Sequence, residues 1–429
     1  MLVNYAGRNL ANTVWAFATL GLRQGSLTRE ALMGAACSVG DFIPQNISNT
    51  AWSCAVLPFK HGPLLEALSA SALRLMHEAS CQDLSNIAWA LATLSVTNEP
   101  LLNALASASL AIISQAAPQN LSNTAWACAQ LACLHNPLLA AIAASAIRMM
   151  VEFRPQELSN TAWAFATLGL EDEPLLDSLA SSAIPSIAHF GPQDLSNTAW
   201  AVASLRWRDD PLLDAIASAS RHRISCGRLG PDNLAMLAWS FAKLCKVVAP
   251  LLSAISSQSI PRMGDFRALN LSNTAWSVAE LQVADQPLMT AISSAALPRI
   301  FEFKAQDISN TAWSFAKRAV RNEPLITAIS SAASQNCGAA QIDDAGDVLI
   351  QSSVLWHLWR CSGRRELPMQ LLAGARQVDT MAVALALMDA AWGQRESQWR
   401  EAWSFISSSG GASRNSAGVT CFQRPPCEE

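Results

Sequence analysis

The residues of this chain best placed to do chemistry are a recurring tryptophan and the polar residues set around it. Trp15, Trp52, Trp89, Trp126, Trp163, Trp200, Trp239, Trp276 and Trp313 each close a version of the phrase Leu-Ser-Asn-Thr-Ala-Trp. Three residues earlier stands an asparagine: Asn49, Asn86, Asn123, Asn160, Asn197, Asn273 and Asn310. Four residues later the type varies, through Thr19, Val56, Thr93, Gln130, Thr167, Ser204, Lys243, Glu280 and Lys317. An indole stacks on flat rings, and a carboxamide both donates and accepts hydrogen bonds. Two constant positions beside a varied polar one suggest a fixed grip with a selective element next to it. That is how one-base-per-repeat proteins read single-stranded RNA. The plainer reading packs each Trp laterally against the next repeat, with Asn and Ser hydrogen-bonded along the seam. The varied position then varies because it faces solvent.

A basic residue also recurs near the end of helix B in five copies, as Arg74, Arg148, Arg223, Arg262 and Arg299. A cation suits the negative end of a helix dipole. Aligned along one edge, the same side chains would also track a phosphate backbone.

Other motifs dissolve into the repeat. Ser240 with Lys243, and Ser314 with Lys317, have the spacing of serine acylating enzymes but no partner motif. Asn46, Asn120 and Asn270 head glycosylation sequons that fall at helix starts. No phosphate-binding glycine loop, paired-histidine zinc helix or nucleophile–base set can be named. The chain therefore reads as a non-enzyme with no metal, no other cofactor and no small-molecule substrate. Its 11 cysteines include no C-x-x-C pair. Cys54 and Cys128 stand where other copies carry Phe, Val or Leu. The cysteines read as small core residues in a reducing compartment, not as a disulfide frame or a zinc site.

The elements that position these residues follow from the spacing. Successive tryptophans lie 37 residues apart, with one interval of 39 between Trp200 and Trp239. A fixed period of this size marks a solenoid or propeller. Within each period, helix A carries Leu158, Ala162, Phe165, Ala166 and Leu168 at helical spacing. Its opening residue is an acid or amide (Asn46, Asp83, Asn120, Glu157, Asp194, Asp307), which suits free backbone N–H groups. Helix B opens at a proline eleven residues after the tryptophan, from Pro63 to Pro324. Placed on a wheel of about 100° per residue, the apolar set spans about 80° to 240° from Asn160. Ser159, Asn160, Trp163, Ala164 and Thr167 fill the remaining arc. The fold class is all-α, an α-solenoid of about nine helical hairpins over residues 1–339.

Two copies depart from the pattern. The seventh has Met236 in place of Asn, after an insertion around Arg221-His222-Arg223, so a bend is expected between Trp200 and Trp239. The first lacks a polar capping repeat, and the native protein is expected to extend further at that end. Residues 340–406 read as a smaller helical segment and 407–429 as a disordered tail.

Composition sets the bounds. At 51% hydrophobic and 14% charged residues, with net charge −4, the chain can bury an ample core but has no basic excess. That balance counts against strong non-specific affinity for polyanions. No Asp, Glu, Lys or Arg lies between Glu99 and Arg148, yet Pro118, Pro137 and many polar residues interrupt the run. It is no membrane span. No secretory or transit segment is legible ahead of the first helix in this sequence, so none is expected from it.

The repeated phrase Leu-Ser-Asn-Thr-Ala-Trp-Ala-Phe-Ala, on a 37-residue hairpin over residues 7–334, resembles the heptatricopeptide/octotricopeptide repeat family. That family is related in design to pentatricopeptide repeat proteins. The stretch from Asp379 through Trp403 resembles a degenerate pentatricopeptide helix pair. The resemblance implies an organellar RNA-binding solenoid acting in RNA processing, stability, translation or ribosome assembly. Single-stranded RNA would be the partner, with ribosomal or other proteins beside it, in a mitochondrion or chloroplast and otherwise in the cytoplasm. The alternative is an armadillo-like protein–protein interaction scaffold holding extended peptides along Asn and Trp rows.

Overall fold

The computed structural model describes residues 7–22 and 25–339, and every regular element among them is helical. The odd-numbered helices are the A helices: α1 (Gly7–Thr19), α3 (Pro44–Val56), α5 (Cys81–Thr93), α7 (Pro118–Gln130), α9 (Pro155–Thr167), α11 (Pro192–Ser204), α13 (Pro231–Lys243), α15 (Ala268–Glu280) and α17 (Ala305–Lys317). The B helices are α2 (Ser26–Ser38), α4 (Gly62–Leu75), α6 (Glu99–Ala111), α8 (Asn136–Arg148), α10 (Glu173–Ser186), α12 (Asp210–Ser225), α14 (Ala249–Ser259), α16 (Gln286–Ala296) and α18 (Glu323–Ala339). The segments expected over 340–406 and 407–429 lie outside the described residues.

The chain divides into two compact units, Met1–Ser220 and Arg221–Glu429, and the division falls at the insertion of the seventh copy. In the first unit α1, α3, α5, α7, α9 and α11 lie side by side in chain order, and α2, α4, α6, α8 and α10 form a second row behind them. In the second unit α13, α15 and α17 do the same, with α14 and α16 linked through the 3-10 turn Ile260–Asp265. Each unit is a stack of hairpins that bury apolar faces against their neighbours. This is the α-solenoid expected from the period.

Local chemistry explains the helix ends. Each A helix stops where the chain enters a left-handed turn, six residues after the Trp. Only Gly21 and Gly169 hold that conformation as glycine, whereas Ser95, Ala132, Arg206, Cys245, Gln282 and Ala319 hold it with side chains. The turn lets the Leu170 N–H reach back to the Phe165 carbonyl at 2.9 Å, and Cys133 to Cys128 at 2.8 Å. These bonds satisfy carbonyls the helix leaves free. From α4 onward helix B starts one residue before its proline, and in all of these but α14 a capping side chain stands ahead of it. The Asp172 and Asp285 carboxylates accept from the N–H three residues on, at 3.0 Å each, and His61 Nδ1 does so at 3.2 Å. After the B helices α2, α4, α6, α8, α10, α14 and α16 a short 3-10 turn leads toward the next A helix, and Phe190 and Phe266 are wholly buried just beyond it.

Three wheel placements need correcting. Ser159 and Ala164, assigned to the open arc, are both buried. An A helix in a stack is covered by its B helix and also by the A helices on either side, so small residues line its flanks. Leu168, assigned to the core, is half-buried at the C-cap. Among the cysteines, Cys54 and Cys128 are buried thiols as expected, and burial pushes Cys54 up to about 12. Cys245 departs from the expectation and is disulfide-bonded.

Candidate nucleic-acid interface

The seam between A helices sets the geometry of everything exposed above it. In α3, α5, α7, α9, α11, α13 and α17 the third residue turns back to accept from the N-cap N–H, as Asp194 Oδ2 does from Gly191 at 2.9 Å and Asp83 Oδ2 from Ser80 at 3.2 Å. The second oxygen crosses to the preceding repeat. Ser48 donates to Asp83 Oδ1 at 2.6 Å, Ser159 to Asp194 Oδ1 at 3.0 Å, and Ser272 to Asp307 Oδ1 at 2.9 Å. One carboxylate thus caps its own helix and registers it against its neighbour.

With the flanks buried, a narrow strip of each A helix stays open. In the fifth copy it comprises Gln156, Asn160, Trp163 and Thr167, of which Asn160 and Trp163 are half-buried and the other two exposed. Asn49, Asn86, Asn123, Asn197, Asn273 and Asn310 share that half-buried state, and no protein hydrogen bond engages their amides among the described residues. The tryptophans touch along the array. Ring centres lie 6.3 Å apart for Trp89–Trp126, 6.5 Å for Trp126–Trp163 and 6.2 Å for Trp163–Trp200. In the second unit Trp239–Trp276 and Trp276–Trp313 are each 6.4 Å apart. Axes of packed helices stand roughly 8–10 Å apart. Ring centres only 6.2–6.5 Å apart therefore lean toward one another across the seams within each unit. The lateral packing of Trp and its exposure are both real, because from Trp89 to Trp200 and from Trp239 to Trp313 each ring rests on the next and stays half-buried.

The varied residues fall on the same strip. Thr93, Gln130 and Thr167 are exposed, while Ser204, Lys243, Glu280 and Lys317 are half-buried. Lys243 Nζ lies 6.0 Å from the centre of Trp239, and Lys317 Nζ 4.4 Å from that of Trp313, within cation–π range. The Ser–Lys spacing noted in the sequence makes no reactive pair: Ser240 is buried, and its hydroxyl donates to the Met236 carbonyl at 2.7 Å.

The arginines do not join the strip. Arg74 Nη2 donates to the Gly40 carbonyl at 3.2 Å, Arg262 Nη1 to Leu229 at 2.9 Å, and Arg299 Nη1 to Phe266 at 2.8 Å. These carbonyls belong to the turns leading into the A helices. Arg148 donates to Ser145 Oγ at 2.9 Å within its own helix. A further row escaped the sequence reading. Gln45, Gln82, Gln119, Gln156, Gln193 and Gln306 stand seven residues before six of the nine Trp, all exposed, extending the strip by another amide. Their fixed distance from Trp was the available signal.

The cavities beneath the hairpins are small, about 20 Å³ among Leu102, Cys128 and Leu138 and about 10 Å³ among Leu158, Leu179 and Trp207. No described helix is long and apolar enough to cross a membrane. What each unit offers is a surface of half-exposed indoles beside unengaged amides, with Met236 replacing the Asn in the seventh hairpin. Fold and surface define an α-helical repeat protein. The chain matches the profile of the RNA-editing substrate-binding complex 6 protein family over residues 3–152 and again over 136–250, together more than half its length, and it belongs to that family. The match supports the coarser part of the heptatricopeptide/octotricopeptide resemblance, an RNA-associated helical repeat protein. No curated protein matches the chain in sequence. One chain of a structure described as a homology model of the full-length AP-3 complex in an intermediate open conformation aligns at 10% identity and TM-score 0.32. The alignment covers 91% of this chain and 86% of that one, a likeness too loose to carry an argument.

Proposed function

We propose that the strip formed by the Gln, Asn and Trp rows binds single-stranded RNA sequence-selectively. On this reading the protein is the substrate-holding, non-catalytic part of an organellar RNA-processing assembly, with RNA and other proteins as partners. The observation that carries the reading is the row of half-exposed indoles 6.2–6.5 Å apart, flanked by amides without protein partners. Family membership supports it. In the second to sixth copies the strip has no charged side chain. Affinity there must come from stacking and amide hydrogen bonds, with phosphates left in solvent. Such a surface binds RNA with a weaker salt dependence than a basic groove.

Selection from a randomised RNA pool tests this directly. The full chain should enrich defined sequences, and replacing Asn123 and Asn160 together by Ala should weaken binding about tenfold, from two lost hydrogen bonds. Absence of RNA affinity at about 50 mM salt, where phosphate contacts are strongest, would overturn the reading in favour of a protein scaffold.

A further inference from the structure

We infer that Glu280 and Lys317 form a guanine-selective subsite on the second unit's strip, an assignment that rests on the RNA reading above. In the first six copies the varied position is uncharged (Thr19, Val56, Thr93, Gln130, Thr167, Ser204), and in the last three it is Lys243, Glu280 and Lys317. Lys317 Nζ donates to Glu280 Oε2 at 2.8 Å across neighbouring repeats. Both side chains are partly sheltered, at 25% and 20% exposure, and both stand one turn beyond the touching rings of Trp313 and Trp276. Lys317 is further held 4.4 Å from the Trp313 ring centre. The result is an acceptor and a donor fixed side by side next to an aromatic edge.

Their capacity is not used up by the one bond between them. An ammonium has three donors and a carboxylate about four acceptor sites. Among nucleobases, guanine alone presents two neighbouring donors, N1–H and N2–H, beside an acceptor, O6. The donors match the two oxygens of Glu280, and O6 matches Lys317. Uracil and cytosine offer a single donor to the carboxylate, so they form fewer bonds. Adenine sets its one donor beside an unprotonated N1 that the carboxylate repels. Partial shelter from water makes an unmatched base cost more, because the buried charges would then lose solvent without gaining partners.

A pair serving only to tie the repeats together would act on stability and leave base preference alone. The test uses the full chain and nine-nucleotide oligouridylates carrying one central guanosine, adenosine or cytidine. The guanosine oligomer should bind about tenfold more tightly than the adenosine one, as expected for a bidentate contact. Glu280→Gln, which keeps the size but removes one acceptor, should bring the two within about twofold. Lys317→Met should weaken the guanosine oligomer most. Equal binding of all three oligomers by the native chain, or a guanosine preference that survives Glu280→Gln, overturns the subsite and leaves the RNA reading standing. A loss of thermal stability in Glu280→Gln with unchanged preference overturns it likewise, in favour of a structural tie. No binding to any oligomer overturns both readings.

Discussion

Ser95, Ala132, Arg206, Cys245, Gln282 and Ala319 hold φ between 51° and 55°, where an L side chain is crowded by its own backbone. Gly169 holds the equivalent turn at 66°, and a Cβ there would meet no atom within 4 Å. Its conformation is therefore its whole role. Gly169→Ala should destabilise by about 1 kcal/mol, and Ala132→Gly should be neutral to stabilising by up to about 1 kcal/mol, since glycine also raises the unfolded chain's entropy. Urea midpoints of the two variants check this. The turn was invisible in the sequence because the residue type is not constant there. Asn160, Trp163 and Thr167, by contrast, were legible as one strip, because their spacing alone fixes a shared azimuth. Ser159 and Ala164 were not. A wheel assumes one buried face, and a stacked helix has three. The capping residues of helix B were hidden for the same reason as the turn: His61, Asn98, His135 and Asp172 do one job with three chemistries.

Between elements, the decisive contacts are polar. The acid or amide at each A-helix opening was legible as a cap, but its second bond to the preceding repeat could not be read from spacing. The seventh and eighth copies vary this theme. Asp232 Oδ1 accepts from Arg267 Nη2 at 2.6 Å and from Asn270 Nδ2 at 2.8 Å. The Arg267 hydrogen bond, above all, holds the Asp232 carboxyl below the usual carboxylate range. A folded-state pKa below the unfolded one gives stability that is present above the ordinary carboxylate range and lost as pH falls through the lowered value. Asp232→Asn should therefore cost a few tenths of a kcal/mol at pH 7, a small effect because the pair is exposed and screened. The difference from the native chain should close in acid and shrink in high salt. Denaturation of both proteins at neutral and acid pH measures it.

At the scale of the molecule, the period announced the stack and the insertion marked where one compact unit gives way to the next. The period alone could not show how closely the rings approach, because that depends on how neighbouring side chains lean across the seam. Exposed apolar side chains gather in the first hairpin, at Trp15, Leu20, Leu22, Leu27 and Met33. Among the described residues this hairpin has a neighbour on one side only. The indole row has one more consequence, and it is optical. Rings 6.2–6.5 Å apart and tilted by 30–33° are close enough to pass excitation along the row before any of them emits. In a viscous medium the emission should therefore be strongly depolarised when excited in the main band and regain polarisation at the red edge, where transfer fails. Trp126→Phe should restore part of it by splitting the first unit's row. A dark ligand seated over one ring would then dim its neighbours as well, so the protein carries its own reporter of occupancy.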